Sequence, residues 1–241
     1  MGATGDGKRL ILWDIDGTLL RGGSVAGTAF AAAVEKVVGR PAGDHGVRFG
    51  GKTDPQIVRE ILAVLDLHDQ VEEHEASIIA ELERGLRDGR DQMQAEGFVL
   101  PGVPELLEAL RATGAVQTVL TGNTAANAAV KVDAFELRPW LDLEVGAFGS
   151  DHHDRNQLVP IAVERATQRY GPVDRRHTWV IGDTPFDAAC ARAGGVRCLL
   201  VATGHSPRAD LDGAGADRVL DDLSATAEVV DLLTGVRPPT P

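Results

Sequence analysis

The segment Leu10-Ile-Leu-Trp-Asp-Ile-Asp-Gly-Thr-Leu-Leu20 carries the strongest indication of the fold of this chain. Its first four residues are apolar, and such a short run before a turn signal predicts a buried β-strand. The strand delivers Asp14 and Asp16 at its carboxyl end, where open α/β sheets bind their ligands. Alternate residues of a strand share a face, so the two carboxylates start roughly 7 Å apart. Gly17 then permits a tight turn and a close approach to a ligand. Two buried acids at one strand end predict a bound cation or a reaction that uses them.

The composition favours a folded protein with an acidic surface. Of the 241 residues, 43% are hydrophobic, which is ample for a core and argues against disorder. The length predicts one large domain or two unequal ones. The 36 acidic and 24 basic side chains give a net charge of −12, which disfavours binding to nucleic acid or anionic membranes. An anionic substrate stays compatible with this charge, since a bound cation reverses the local field.

The cysteines and the apolar runs indicate the compartment. Only Cys190 and Cys198 occur, without a Cys-x-x-Cys pair, so we expect reduced packing thiols. The polar run over residues 1–9 lacks the apolar region of a secretory signal. No run approaches the roughly 20 apolar residues of a membrane span. We therefore expect a soluble cytoplasmic protein without nucleic-acid or membrane partners.

Residues 23–95 show helical periodicity and no strand pattern. Breaker-rich links bracket this block, which is typical of an inserted domain. The predicted helices of the block cover residues 28–38, 54–65 and 71–87. The predicted domains are an all-helical cap domain over 23–95 and an α/β core over 1–22 and 96–241.

Strict alternation of helices and strands follows the helical block. The predicted strands cover residues 116–120, 143–148, 178–181, 197–201 and 218–220. The predicted helices cover residues 104–113, 124–135, 157–170, 186–193, 207–214 and 225–233. This alternation implies right-handed βαβ units and therefore a parallel sheet.

Two later strands also end in polar residues. Thr121-Gly122-Asn123 lies before a predicted helix, where a hydroxyl group and free backbone N–H groups make an anion site. Capping of that helix is an alternative role for Thr121 and Asn123. Asp183 and Asp187 follow the strand at 178–181, and there a helix cap and a first-turn acid are the alternatives.

These motifs together resemble those of the haloacid dehalogenase-like superfamily. Its phosphatases carry Asp-x-Asp-Gly-Thr, a Thr at the second strand end, and Gly-Asp-x-x-x-Asp. The resemblance implies that Asp14 is the nucleophile, forming an aspartyl-phosphate, and that Asp16 is the general acid and base. It implies that Thr121 binds the transferring phosphoryl group. It also implies a Mg²⁺ site made by Asp14, Asp183 and the backbone carbonyl of Asp16, with Asp187 in the outer shell or paired with a basic residue.

The third motif of that family, a lysine, is not found at its expected place. No lysine follows Lys131, which we predict to lie too far along its helix. Arg155 opens the next helix and is the predicted replacement, because arginine binds phosphate bidentately; a surface arginine is the alternative. His152 and His153 in the same loop lack a matching ligand spacing and are interpreted as solvated loop residues.

The segment 46–53 matches the P-loop pattern Gly-x₄-Gly-Lys-Thr. A true P-loop needs a buried strand before it and an open helix N-terminus after it. No strand pattern precedes the segment, and Asp54-Pro55 puts an anion and a missing N–H where phosphate would bind. We interpret the segment as a cap loop that, by the family resemblance, closes over the site. Lys52 then contacts a substrate anion or is solvated.

The resulting hypothesis is a Mg²⁺-dependent phosphomonoester hydrolase, resembling the phosphoglycolate phosphatase-like branch with a helical cap. Its substrate is a small phosphorylated metabolite, with phosphoglycolate-like esters among the candidates. The predicted phosphate contacts are Gly17, Thr121, Gly122, Asn123, Arg155 and Lys52. The predicted metal contacts are Asp14, Asp16, Asp183 and Asp187.

Several alternatives stay open at this point. A β-phosphoglucomutase-like mutase shares the same core motifs, and a non-catalytic binding module on this fold is the alternative from another class. A dehalogenase needs neither Asp16 nor Asp183 and is disfavoured. A phosphonatase needs a cap lysine, for which only Lys36 and Lys52 are present. The oligomeric state is left open.

Overall fold

The computed structural model describes residues 7–235 of the chain. The strands are β1 Lys8–Trp13, β2 Leu20–Arg21, β3 Phe98–Val99, β4 Val116–Val119, β5 Val173–Gly182, β6 Arg197–Val201 and β7 Arg218–Leu220. The helices are α1 Val25–Val38, α2 Asp54–Val64, α3 Val71–Asp88, α4 Arg90–Glu96, α5 Val103–Ala112, α6 Ala125–Ala134, α7 Leu158–Tyr170, α8 Pro185–Gly194, α9 Arg208–Asp212 and α10 Thr226–Thr234.

Five strands form one parallel sheet in the order β4-β1-β5-β6-β7. Strand β1 therefore lies between two neighbours, and its apolar residues are buried on both faces of the sheet. Ile11 and Trp13 pack into one core cluster, while Leu10 and Leu12 pack into the cluster on the opposite face. A strand covered by helices on both faces must be apolar throughout, which explains the unbroken run before Asp14. The predicted parallel α/β core is confirmed.

Helices α1 to α4 form the helical insert, which packs around its own apolar cluster. That cluster includes Phe30, Val34, Ile61, Leu82 and Met93. The predicted helical cap is thus confirmed as an element of the fold, while its bounds at 23–95 stay a prediction. The outermost parts of the predicted core, residues 1–6 and 236–241, lie outside the described residues.

A short antiparallel ribbon stands where the chain leaves the core and returns to it. Strands β2 and β3 pair Leu20 with Val99 and Arg21 with Phe98. This ribbon was not predicted, because two-residue strands carry no periodicity. The insert also holds one more helix than predicted, since α3 ends at Asp88 and α4 begins just past Gly89.

The predicted strand at 143–148 is wrong. A single 3₁₀ turn, Leu143–Val145, occupies its start, and Ala147 makes only an isolated bridge to Leu120. The Asp142 carboxylate accepts a hydrogen bond from the Glu144 N–H at 3.1 Å, which turns the backbone away from an extended course. Within residues 7–235, no helix combines the length and apolar character needed to span a membrane.

Candidate active site

Three buried carboxylates converge at the carboxyl edge of the sheet. Asp14 follows β1 and Asp183 follows the neighbouring β5, while Asp187 lies in the first turn of α8. The Asp14 N–H still donates to the Ile181 carbonyl at 2.9 Å, so the pairing of the two strands fixes where these acids emerge. One carboxylate oxygen from each acid lies within 4.8 Å of those of the other two. The sheet edge therefore holds the predicted acids together.

The burial of Asp14 and Asp183 and the negative charges near them disfavour the ionised forms of these two acids. Burial raises the pKa of Asp14 to about 6, and the Arg155 guanidinium partly offsets this effect. Burial, with the charges of Asp14 and Asp187, raises the pKa of Asp183 to about 9. Like charges at this spacing are stabilised together only when a cation lies among them.

The donor set fits a hard divalent cation. Carboxylate oxygens are the ligands that such ions prefer. Two glycines let the backbone pack directly against the Asp183 carboxylate: a Cβ at Gly204 would lie 1.6 Å from its Oδ2, and a Cβ at Gly17 would lie 2.6 Å from it. Thr18 donates to Asp183 Oδ1 at 3.3 Å. The site thus fits a divalent ion between Asp14 and Asp183.

Arg155 reaches the candidate nucleophile. Its Nη2 lies 3.1 Å from Asp14 Oδ1 and also forms an ion pair with Asp187. The side chain is only 5% exposed, which excludes the alternative of a surface arginine. Burial lowers the pKa of Arg155, but Asp187 and Asp14 outweigh that effect and raise it. Arg155 therefore lies at the site, and its role toward phosphate stays a prediction.

Asp187 serves two local partners at once. Besides Arg155, its Oδ2 accepts from the Thr184 N–H at 3.0 Å and the Thr184 hydroxyl group at 2.7 Å, which closes a capping box at the start of α8. The predicted pairing with a basic residue and the first-turn capping role are both present. Asp187 therefore has structural partners in addition to its place in the acid cluster.

Lys131 lies in the site, so the expectation that it sits too far along its helix is wrong. Its Nζ donates to Asn123 Oδ1 at 2.8 Å and to both carboxylate oxygens of Asp16 at 2.7 and 2.6 Å. The signal was available in the sequence, because a helical side chain leans toward the N-terminus of its helix, and Lys131 lies about two turns past Asn123, within reach of a long side chain. With this partner, the Asp16 carboxylate lies outside the three-acid cluster, and its predicted metal contact through the backbone carbonyl stays a prediction.

The Thr121-Gly122-Asn123 turn faces the site rather than capping α6. Thr124 is the helix cap and accepts from the Asn127 N–H at 3.2 Å, so the capping alternative for Thr121 and Asn123 is wrong. The Asn123 side-chain amide donates to Thr121 Oγ1 and to Asp16 Oδ2, both at 2.8 Å. These bonds join the turn to the candidate acid and base.

Gly17 and Gly122, the two glycines predicted to contact phosphate, have different local contacts. The Gly17 N–H donates to the Leu20 carbonyl at 2.9 Å, while the residue lines the cavity, and its contact with phosphate stays a prediction. A Cβ at Gly122 would lie 1.9 Å from the Lys52 carbonyl oxygen, so this glycine admits the backbone of the helical insert. A contact of Gly122 with phosphate stays a prediction.

The P-loop-like segment is a docked loop of the insert. No strand precedes it, and Thr53 caps α2 by accepting from the Gln56 N–H at 3.2 Å, which agrees with rejecting a nucleotide P-loop. The Thr53 hydroxyl group donates to the His153 carbonyl at 2.7 Å, and the Asp54 N–H donates to the Gly122 carbonyl at 2.7 Å. These bonds close the loop onto the core.

Two residues of the insert shape this contact further: Asp54, for which no role at the site was predicted, and Lys52, which was predicted to contact a substrate anion or to be solvated. Asp54 Oδ2 accepts from the Thr124 N–H at 2.9 Å and from the Asn127 amide at 2.8 Å, so a carboxylate of the insert caps a helix of the core. Lys52 lines the cavity and forms an ion pair with Glu60, so it is not a solvated loop lysine. His152 and His153 stack on each other in the adjacent loop, as expected of residues outside the acid cluster.

The site opens into a cavity of about 1500 Å³. Residues of the α/β core form one part of its wall, and residues of the helical insert form the other. Asp14, Asp16 and Asp183 lie on the core side. The arrangement places a carboxylate, a candidate metal position and two buried cationic side chains in one cavity, which suits transfer of an anionic group.

Comparison with known proteins agrees with this chemistry. The family model of the haloacid dehalogenase-like hydrolases matches residues 8–195. A phosphoglycolate phosphatase of Pseudomonas putida is 30% identical over 228 residues, covering 90% of this chain and 78% of its own.

Solved structures share the fold at lower identity. A predicted phosphoglycolate phosphatase from Haemophilus somnus superposes with a TM-score of 0.70 at 17% identity, covering 92% of this chain and 98% of its own. A putative β-phosphoglucomutase from Thermotoga maritima gives a TM-score of 0.59 at 17% identity, covering 93% and 99% of the two chains. Since the family model spans most of the sequence and meets the acids of the sheet edge, the chain belongs to the haloacid dehalogenase-like hydrolases.

Proposed function

We propose that this hydrolase cleaves phosphomonoesters with the help of Mg²⁺ and through an aspartyl-phosphate on Asp14. The observation that carries the proposal is the position of Asp14, whose Oδ1 lies 3.1 Å from the Arg155 guanidinium and beside the Asp183 carboxylate. A nucleophile for phosphorus needs cations on both sides, because the transferred group is itself anionic. The predicted helical cap over 23–95 would close this site over the substrate.

The first step makes the covalent intermediate. A carboxylate oxygen of Asp14 attacks phosphorus in line with the leaving oxygen, and the bond between phosphorus and that oxygen breaks. The Asp16 carboxyl group gives its proton to the leaving oxygen, so the product departs as an alcohol. Asp16 suits this role because its side chain is 47% exposed and opens to the cavity.

The second step releases phosphate. Asp16, now a carboxylate, takes a proton from a water molecule whose oxygen attacks phosphorus. The bond between phosphorus and Asp14 breaks, inorganic phosphate leaves, and Asp16 is protonated again. Lys131 and Asn123 hold Asp16 in place through both steps, since they contact its two carboxylate oxygens.

A bound Mg²⁺ would supply charge neutralisation at the phosphoryl oxygens. Asp14 and Asp183 would hold it, as hard oxygen ligands of two adjacent strand ends. Arg155 would bind a further phosphoryl oxygen, because its fork of donors matches phosphate geometry and its contact with Asp14 puts it beside the reacting atom.

The substrate is a small phosphorylated compound, and we expect it to be hydrolysed in the cytoplasm. The name of the Pseudomonas putida relative makes 2-phosphoglycolate the first ester to assay. A phosphomutase is the second candidate, favoured by the neighbour titled as a putative β-phosphoglucomutase. Because the two activities use the same core acids, they differ in how long the phosphorylated Asp14 survives attack by water.

The test is hydrolysis of p-nitrophenyl phosphate with Mg²⁺ and with a chelator. We expect metal-dependent turnover that Asp14→Asn abolishes. In Asp16→Asn, which keeps the nucleophile but lacks the base for water, we expect phosphorylated Asp14 to accumulate in acid-quenched protein analysed by mass spectrometry. Turnover by Asp14→Asn at the wild-type rate would remove the nucleophile, and a long-lived phosphoenzyme in the wild-type protein would favour the mutase.

A further inference from the structure

Phenylalanines are concentrated at the cavity of the candidate active site. The chain has only six of them among 241 residues. Four of these, Phe30, Phe49, Phe98 and Phe186, line that cavity. So sparse a residue type gathers at one site either to build a core or to meet an apolar ligand.

The exposed fraction of these side chains distinguishes a core from a surface that binds an apolar ligand. Large apolar side chains that stay exposed in the described part of the chain are Val64, Phe98, Tyr170 and Phe186. Three of the four line the cavity, and Phe98 and Phe186 are 52% and 46% exposed there. Side chains that build a hydrophobic core would be buried instead. The three residues come from the insert, from the ribbon at its base and from the start of α8, so the apolar surface spans both parts of the molecule.

The wall formed by the insert is aromatic. The rings of Phe30 and Phe49 lie 4.7 Å apart between centroids, and the imidazole of His45 stacks on Phe49 at 6.0 Å with an interplanar angle of 9°. Phe30 is buried, while His45 and Phe49 are half-buried and line the cavity. A stack that ends in partly exposed rings presents a flat surface on which another planar group packs.

The volume of the cavity adds to this argument. About 1500 Å³ is more than the roughly 300–1,000 Å³ of an ordinary ligand pocket. A phosphoryl group with a two-carbon acid would occupy a small part of it and would leave Phe98 and Phe186 in water. The cavity therefore suits a bulkier leaving group.

We propose that the substrate is a phosphate ester whose leaving group is aromatic, and that the ring binds between the partly exposed rings of His45 and Phe49 and the rim of Phe98 and Phe186. This inference rests on the proposed phosphatase function and narrows its substrate. The phosphoryl group lies at Asp14, at the core side of the same cavity. The ring replaces water on the exposed phenylalanines, which gives binding energy that a small acid lacks.

The test compares esters that differ in ring size but have similar leaving-group acidity. With Mg²⁺, we expect kcat/KM for 2-naphthyl phosphate to exceed that for phenyl phosphate by about tenfold or more. Phe98→Ala and Phe186→Ala should each raise KM for the naphthyl ester by about fivefold to tenfold while changing kcat little. Tyr170→Ala is the matched control, since this exposed aromatic residue lies outside the cavity lining.

A binding experiment separates failure of this inference from failure of the proposed function. In the wild-type protein with Mg²⁺, calorimetry should give an affinity for 2-naphthylmethylphosphonate at least tenfold above that for methylphosphonate. Equal affinities, or turnover of 2-phosphoglycolate above the naphthyl ester, would overturn the inference and leave the phosphatase intact. Tight binding of the naphthyl phosphonate without turnover of any ester would overturn the phosphatase and support the aromatic site.

Discussion

The ammonium group of Lys131 lies 2.7 and 2.6 Å from the two carboxylate oxygens of Asp16. The lysine side chain is only 4% exposed, whereas that of Asp16 is 47% exposed. A buried cation therefore holds a carboxylate that faces the cavity. This contact fixes the rotamer of the candidate acid and base without covering it.

Removing that cation should slow the reaction more than it weakens substrate binding. In Lys131→Met, Asp16 loses its main partner, and we expect kcat to fall by about 10²-fold or more with a smaller change in KM. Steady-state kinetics over a range of substrate concentrations give kcat and KM separately. Lys36→Met, at an exposed lysine paired with Glu81, is the control. Wild-type kcat in Lys131→Met would show that Asp16 needs no such support.

The bond between the insert and α6 should contribute to both stability and activity. Asp54→Ala removes the acceptor for the Thr124 N–H and the Asn127 amide, which are both buried. Loss of a helix cap costs about 1–2 kcal/mol, so we expect a lower Tm. We also expect a lower kcat, because α6 carries Lys131. Thermal unfolding and turnover of p-nitrophenyl phosphate check the two effects. Asp44→Ala, at an exposed acid of the same insert, should change neither quantity.

Closure of the insert loop depends on the absence of a side chain at Gly122. In Gly122→Ala the new Cβ would meet the Lys52 carbonyl oxygen at 1.9 Å, which is far inside van der Waals contact. The loop must then move off the core, so we expect a large loss of kcat/KM and faster proteolysis near residues 46–53. Gly27→Ala is the control for an added methyl group. It meets nothing within 4 Å in a helix and should raise stability by about 0.5–1 kcal/mol. A fully active Gly122→Ala protein would show that this contact is dispensable.

The acids at the strand ends were predictable from sequence, because each follows an apolar run that predicts a buried strand. The run before Asp14 is apolar since β1 is buried on both faces, and parallel strands bring Asp183 to the same edge. Lys131 was placed too far from the site because its distance along the helix was considered without the length and direction of its side chain. A helical side chain leans toward the N-terminus of its helix, so Lys131 reaches back to Asn123.

Contacts between the insert and the core were not predictable in the same way. The capping of α6 by Asp54 joins residues 70 positions apart, and no local pattern reports such a bond. The prediction of a strand at 143–148 was wrong for a local reason. The hydrogen bond from the Glu144 N–H to the Asp142 carboxylate favours a turn there, in spite of the β-propensity of the segment.

The acid cluster should make the metal-free protein less stable as the pH rises. Burial raises the pKa of Asp183 from 3.8 to about 9 and that of Asp14 from 3.8 to about 6. A group whose pKa is higher in the folded state contributes most to stability below its unfolded pKa, and this contribution is lost as the pH rises through the folded value. In chelator, the free energy of unfolding should therefore decrease from about pH 5 to pH 9.

Mg²⁺ should reverse this trend, because it competes with protons for the same carboxylates. The rise in Tm on adding Mg²⁺ should be larger at about pH 8.5 than at pH 5.5, where Asp183 is protonated in the metal-free protein. Asp183→Asn removes the most strongly shifted acid, so this variant should lose most of the pH dependence in chelator and most of the gain from Mg²⁺. Thermal melts of the wild-type protein and of Asp183→Asn at both pH values, with chelator and with Mg²⁺, measure these differences in Tm. If the gain from Mg²⁺ were equal at the two pH values and unchanged in Asp183→Asn, the ion would bind elsewhere than at this edge of the sheet.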